Sequence, residues 1–454
     1  MSFLVLLRLI APEGRAEDAV DRLNAKFLSR LRADTQRLAQ QRREPPRRSP
    51  LLEIRANLHV HSELSHDSRG QIADIVAAAK RAGTEALLFT EHPSAEKDFF
   101  TDGHTGSLDG VLLIPGAEMK GLLVYPTQSV RSLEQSPPSE LVPWVRERGG
   151  HAFLSHLEER MDWEIPALTG NEIYNTHADF KKQKRLVDSL KNPLWLLKAA
   201  ELIREYPQEV FTIMQTYPDD YLARWDTLCQ RFPHTAVAAN DAHQNIGVRI
   251  ALRDPTTVGI VDALGEELAT LNRLLVAPLL AIPSDAKPGD TLFQLQLDPY
   301  ENSLRHVGTH LLVRERTREG VWESLESGRT FVAFDGIADA RGFEACIEEA
   351  CIEEPSPSTS HQPDSTQPKS SSRTQHEIGS QIAWQSGLKL VAHAPLAAHW
   401  KVVRDGAIVF EADGDAIEMP LQEPGIHRVE AWLEVAGESR VWILTSPFYI
   451  ADGA

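Results

Sequence analysis

Cysteine is scarce in this 454-residue chain, with Cys229, Cys346 and Cys351 its only thiols. Three cysteines cannot frame a chain of this length with disulfides, and no CxxC pair offers the spacing of a zinc ribbon. They are expected to be ordinary core or surface thiols. Positive charge is also short: 47 Lys and Arg stand against 65 Asp and Glu, for a net charge of −18. Binding along a duplex requires basic surface to displace counterions, so duplex nucleic acid is not an expected partner. No apolar run approaches the ~20 residues that span a bilayer. Collagen, coiled coil, membrane channel and disulfide scaffold are therefore excluded. What is present is globular in composition, 42% hydrophobic and 25% charged. At about 150 residues per domain the length allows roughly three domains.

The first fifty residues differ from the rest, holding eleven Lys or Arg against six Asp or Glu. Met1 to Ile10 is apolar but short, has no basic lead-in and contains Arg8. It makes a poor secretion signal and reads as a terminal strand or a frayed start, so the cytoplasm is the expected compartment. Ala19, Val20, Leu23, Phe27, Leu28 and Leu31 recur at helical spacing, which predicts an amphipathic helix over roughly 16–40. Arg42 to Pro50 reads as a linker, since its prolines break structure and its arginines repel.

From Leu51 to about residue 285, short β-rich runs alternate with helical stretches. Leu58 to His61 ends a strand, Ile72 to Ala79 forms a helix face closed by Gly83, and Ala86 to Thr90 and Val111 to Pro115 are further buried strands. Such repeats favour a parallel sheet or barrel with helices outside and the site at the strand C-terminal ends. Beyond about 286 the pattern changes to alternation, at 292–297, 388–392, 400–410 and 427–434, with turns such as Arg404-Asp405-Gly406. That predicts an antiparallel β-sandwich over 286–454. The Ser/Pro/Thr/Gln-rich stretch 353–375 is expected to be a disordered insertion within it.

The chemistry lies in histidine. Ten of seventeen histidines fall between 59 and 243. His59 and His61, two apart at a strand end, put both imidazoles on one face, and Asp241 and His243 repeat the arrangement. Four N/O donors from two strands begin a divalent metal site. His92, Glu118 and His156 stand where further strands end. A carboxylate can bridge two metals, and a pair about 3.5–4 Å apart can share a hydroxide for in-line attack on phosphorus.

The motifs HVHSELSHDS (59–68), FTEH (89–92), PGAE (115–118), LSH (154–156) and NDAH (240–243), in this order, resemble those of the PHP (polymerase and histidinol phosphatase) domain superfamily. The resemblance covers roughly 54–285. GNEIYN (170–175) is similar to a segment in PHP proteins of this subtype. GRTFVAFD (328–335), GIHRVEAW (425–432) and WILTSPFYI (442–450) resemble the Ig-like tail of some bacterial members, proteins that are often exported. The resemblance implies a distorted seven-stranded (β/α) barrel whose mouth holds up to three divalent ions (Zn, Mn or Fe). His59, His61, Glu118 and Asp241 would hold one ion. Glu118 would bridge to a second that His156 also binds, and Asp67, His92 and His243 would hold a third.

Three departures from the family pattern stand out: no histidine in 119–150, Leu157 in place of a proline, and Glu91 in place of an aspartate. His66, His151 and His177 are further candidate ligands. Glu91 is expected to orient a ligand histidine, and Lys120 and Arg160 are candidate phosphate clamps. The expected activity is hydrolysis of a small phosphomonoester or nucleotide end by metal-activated water held by Glu118, Asp241 and His156. The alternatives are a metal-dependent amide or ester hydrolase, and a non-catalytic metal-binding scaffold whose β-sandwich binds a partner or glycan.

Overall fold

A computed structural model describes residues 18–190, 193–278, 280, 282–349 and 374–453. Met1–Ile10 and all but the last two residues of the 353–375 stretch lie outside the described residues, as does Cys351.

Strand β1 (Leu52–Val60) is buried from Ile54 onward, and β2 (Ala86–Phe89) is buried throughout. Continuous burial on successive residues marks a sheet covered on both faces. β2 pairs in parallel with β1 and with β3 (Val111–Ile114). A parallel bridge from Glu91 to Ala117 carries the pairing to β4 (Ala117–Met119). The chain then doubles back through β5 (Leu122–Tyr125), antiparallel to both β4 and β6 (His151–Leu154). β7 (Gly170–Asn175) and β8 (Thr235–Ala242) follow in parallel, and β8 closes the ring on β1. Gly116 lets the chain pass here, since a Cβ would sit 2.4 Å from the Tyr125 ring and 2.7 Å from the Phe89 carbonyl.

The strand–helix alternation is less regular than expected. Among the described residues no helix separates β2 from β3, and a single 3-10 turn separates β6 from β7. Helices do follow β1 (Ile72–Ala82) and precede β6 (Pro138–Glu147), and five lie between β7 and β8. The barrel interior is filled by Leu58, Leu88, Ile114, Leu123, Phe153 and Val237.

The C-terminal part is rich in β-structure and hydrogen-bonded directly to the barrel. Strand Gly308–Val313 lies antiparallel to Leu52–Ala56 of β1. It leads through Thr330–Ala333 to the long strands Lys389–Arg404, Ala407–Pro420, Gly425–Val435 and Glu438–Thr445. The reason is geometric. β8 pairs with β1 only from Leu58 onward, so the first half of β1 presents an open edge that another strand must cover.

The 292–297 alternation belongs elsewhere than expected. Thr291–Gln296 pairs with Gly247–Leu252 in a separate four-stranded sheet that also includes Thr257–Asp262 and Glu267–Asn272. The domain boundary expected at 285/286 falls inside this sheet. Alternation identifies a strand but not its partner.

The N-terminal helix is broken where Asn24 caps Ala25–Gln41, its side chain accepting from the Phe27 N–H at 2.9 Å. Leu28, Leu31 and Leu38 enter the same core as Trp225 of the barrel helices and Phe331, Trp400 and Trp442 of the C-terminal strands. Arg42–Pro50 has no regular structure but is pinned. The Arg43 N–H donates to the Pro395 carbonyl and the Arg48 N–H to Glu344.

Candidate metal centre

At the C-terminal ends of β1, β2, β4, β6 and β8, the ring brings together eight residues: His59, His61, Asp67, His92, Glu118, His156, Asp241 and His243. Their donor atoms form two groups. In one, His59, His61, Glu118 and Asp241 each offer an atom within 4.8 Å of the others. In the second, His61, Asp67, His92 and His243 do the same. His59 Nε2 lies 3.2 Å from both Glu118 Oε2 and Asp241 Oδ1. The other oxygen of Glu118 lies 3.2 Å from His156 Nε2. Asp67 Oδ2 is 3.3 Å from Nε2 of both His92 and His243. The rings of His61 and His243 stack with centroids 3.8 Å apart.

The strand ends are not regular. Register shifts on both β1–β2 and β1–β8 fall between Leu58 and Val60, at His59. His59, His156 and Asp241 all adopt left-handed backbone, with φ of 62°, 46° and 51°. That conformation is costly for non-glycine residues and gathers at functional sites. Simple alternation does not by itself bring His59 and Asp241 inward; the local kinks contribute.

The four innermost imidazoles share one arrangement. His59 Nδ1 meets Glu172 Oε1 at 2.7 Å, and His61 Nδ1 meets Ser65 Oγ at 3.2 Å. His156 Nδ1 meets Glu158 Oε1 at 3.3 Å, and His243 Nδ1 meets the Asp241 carbonyl at 3.1 Å. Each partner accepts the Nδ1 proton and leaves the Nε2 lone pair facing the carboxylates, as outer partners of metal-binding histidines do. Nε2 of His59 and of His61 are fully buried without a hydrogen-bond partner, a costly condition unless an ion completes them. Mixed imidazole and carboxylate donors suit Zn, Mn or Fe, so the residues present fit divalent ions.

The same carboxylates favour positive charge in the pocket, whether a proton or a divalent ion carries it. Burial opposes charge on His59, yet Asp241, Glu118 and Glu172 raise its pKa well above the ordinary value. Burial likewise opposes charge on His156, while Glu118 and Glu158 push it up to about 10. His61 is held well below its ordinary value by burial and by His243 and His59. Although burial favours its neutral form, Asp67 is held low by His243 and His92. His59 and His156 hold Glu118 low in the same way.

The remaining candidates separate clearly. His177, at the start of the helix after β7, reaches the mouth, with Nδ1 3.1 Å from Asp241 Oδ2. His66 is exposed and lies outside both donor groups, its ring 5.0 Å from that of His92. His151 does not come to the mouth. It is buried against Thr169 and Trp322, with its pKa lowered to about 4 by burial, because it points to the far face of β6.

Glu91 acts at one remove. It accepts from the Ser62 and Ser65 hydroxyls, both at 2.6 Å, and Ser65 in turn meets His61 and the His92 N–H. Arg160 Nη1 donates to the Ser155 and His156 carbonyls, and Lys120 is exposed. Glu172, Glu158 and Ser65 had no assigned role in the sequence. The signals for Glu172 were a carboxylate inside the otherwise uncharged run 170–175 and the likeness of that run to a PHP segment.

Fold and site together define a metal-binding α/β protein with its donors at one mouth of a ring of strands. The model of the PHP domain family matches residues 57–225. No curated protein matches the chain in sequence. A crystal structure of a two-domain protein containing a predicted PHP-like metal-dependent phosphoesterase, from Bacteroides vulgatus ATCC 8482, is similar at 12% identity. That match covers 89% of this chain and 98% of the other, with a TM-score of 0.36. Among the described residues, no helix is long and apolar enough to cross a membrane.

Proposed function

We propose that the chain is a metal-dependent phosphoesterase acting on a small phosphorylated substrate. The observation that carries this is the shared orientation of His59, His61, His156 and His243, each anchored through Nδ1 with Nε2 turned toward Glu118, Asp241 or Asp67. In this reading His59, His61, Glu118 and Asp241 hold one ion. Glu118 and His156 hold a second, with His177 supplying the donor that residues 119–150 lack. Asp67, His92 and His243 hold the third.

Divalent ions there supply a water of lowered pKa and positive charge against the phosphate oxygens. The chain's own groups set the geometry. Glu118 directs one oxygen toward His59 and the other toward His156. Glu172 and Ser65 hold the Nδ1 protons of His59 and His61, and Glu158 holds that of His156. The kinked backbone at His59, His156 and Asp241 fixes these side chains before substrate arrives. The net acidity of the chain suits a small phosphomonoester better than a long polyanion.

The test is elemental analysis of purified protein alongside phosphate release from a panel of phosphomonoesters. Two or three ions per chain, with turnover lost in His59→Ala and Asp241→Ala, is the expected result. One ion or none, with no turnover after added Mn or Zn, would overturn the phosphoesterase reading and favour the scaffold. Amidase or esterase activity without phosphate release would favour the other hydrolase.

A further inference from the structure

A cavity of about 70 Å³ adjoins the metal centre, with Asp241 and His177 in its wall. The rest of the wall is mainly apolar, including Phe180, Leu186, Ile203, Phe211, Met214 and Leu297. Three of its other polar side chains already have partners. Asn240 Nδ2 donates to the Ser303 and Val307 carbonyls at 2.8 and 2.9 Å, and its Oδ1 accepts from Asn57. Asp298 accepts from the Asn245 and Ile246 N–H groups and from Gln296, and Thr176 donates to the Ala239 carbonyl. A polar substrate group entering here would lose its water and find few free partners, which disfavours it.

Resting on the phosphoesterase reading, we propose that this cavity takes the alcohol part of the substrate, and that this part is a short branched or small cyclic hydrocarbon. Its size sets the limit. Apolar cavities of ~150 Å³ hold benzene, so about half that volume admits a branched alkyl group of roughly four or five carbons and excludes a nucleobase. The phosphate remains at the mouth, where Asp241 is common to both spaces. Each buried CH₂ adds about 0.8 kcal/mol, close to fourfold in affinity.

The experiment measures binding of methylphosphonate and 3-methylbutylphosphonate to the metal-loaded full chain by calorimetry, beside phosphate release from methyl and 3-methylbutyl phosphate. The expected result is that the longer phosphonate binds at least about tenfold tighter, given incomplete burial of its four added carbons. Leu297→Trp, at a half-buried wall position, should cut that ratio below about threefold, and Phe180→Trp serves as a second filling variant. Equal binding, no binding of either phosphonate, or a ratio unmoved in both variants overturns the inference. A retained alkyl preference without any phosphate release would instead sink the phosphoesterase reading and leave the apolar pocket standing.

Discussion

Replacing Glu172 by Gln probes the centre without touching any proposed ligand. The Glu172 side chain is fully buried, takes the His59 Nδ1 proton at 2.7 Å, and also accepts from the His156 N–H at 2.9 Å and Asn175 Nδ2 at 3.1 Å. Glutamine keeps the shape and one acceptor but loses the charge that makes His59 a stronger donor to metal. Such outer partners typically contribute 10- to 100-fold in metal affinity, or about 1.4–2.8 kcal/mol at 1.4 kcal/mol per tenfold. Competition against a chromogenic chelator should show this loss, and the metal-induced rise in unfolding free energy should shrink by a similar amount under excess metal. Circular dichroism would check that the fold is kept. A folded Glu172→Gln variant binding metal within about threefold of wild type would refute the claim that the Nδ1 anchors tune the site.

Leu28→Ala, in the helix that joins barrel and C-terminal strands in one core, should lower stability by about 2–5 kcal/mol; urea unfolding checks it, and a loss under about 0.5 kcal/mol would mean that helix is not part of the core. His310 lies between Glu53 and Asp335. Burial opposes its charge, yet the two carboxylates raise its pKa to about 9. Since the folded value exceeds the unfolded value of about 6.5, its contribution is full below pH 6.5 and lost as pH rises through 9, amounting to at most about 3 kcal/mol. The stability difference between wild type and His310→Asn should therefore shrink between pH 6.5 and 9, and a flat difference would contradict it. Gly116→Ala should cost at least about 1–3 kcal/mol by forcing a Cβ into Tyr125 and the Phe89 carbonyl, read as a lowered thermal midpoint. Chelation of bound metal should lower the unfolding temperature of wild type but not of Asp241→Ala.

The chemistry was legible in the chain because metal donors are a restricted set of residue types and because strand ends show as apolar runs that stop. His59, His61, His92, Glu118, His156, Asp241 and His243 each follow such a run, and their order carries the PHP resemblance. The parallel strands β2 and β3 were likewise visible as short, uninterrupted apolar stretches. Other features depend on partners far away in sequence. Glu172 becomes an anchor only because β7 lies beside His59, 113 positions away. His151 is buried away from the mouth because β6 turns it toward Trp322, 171 positions later in the numbering. Alternation at 292–297 announced a strand, but only folding could assign it to Gly247–Leu252 rather than to the C-terminal strands. The open first half of β1, covered by Gly308–Val313, joins barrel and β region in one hydrogen-bonded sheet. Composition and spacing thus determined which atoms can hold metal, since that follows from side-chain chemistry. The tertiary structure decided which of those atoms meet and what cavity lies beside them, because convergence depends on strand register and backbone kinks that no local pattern encodes.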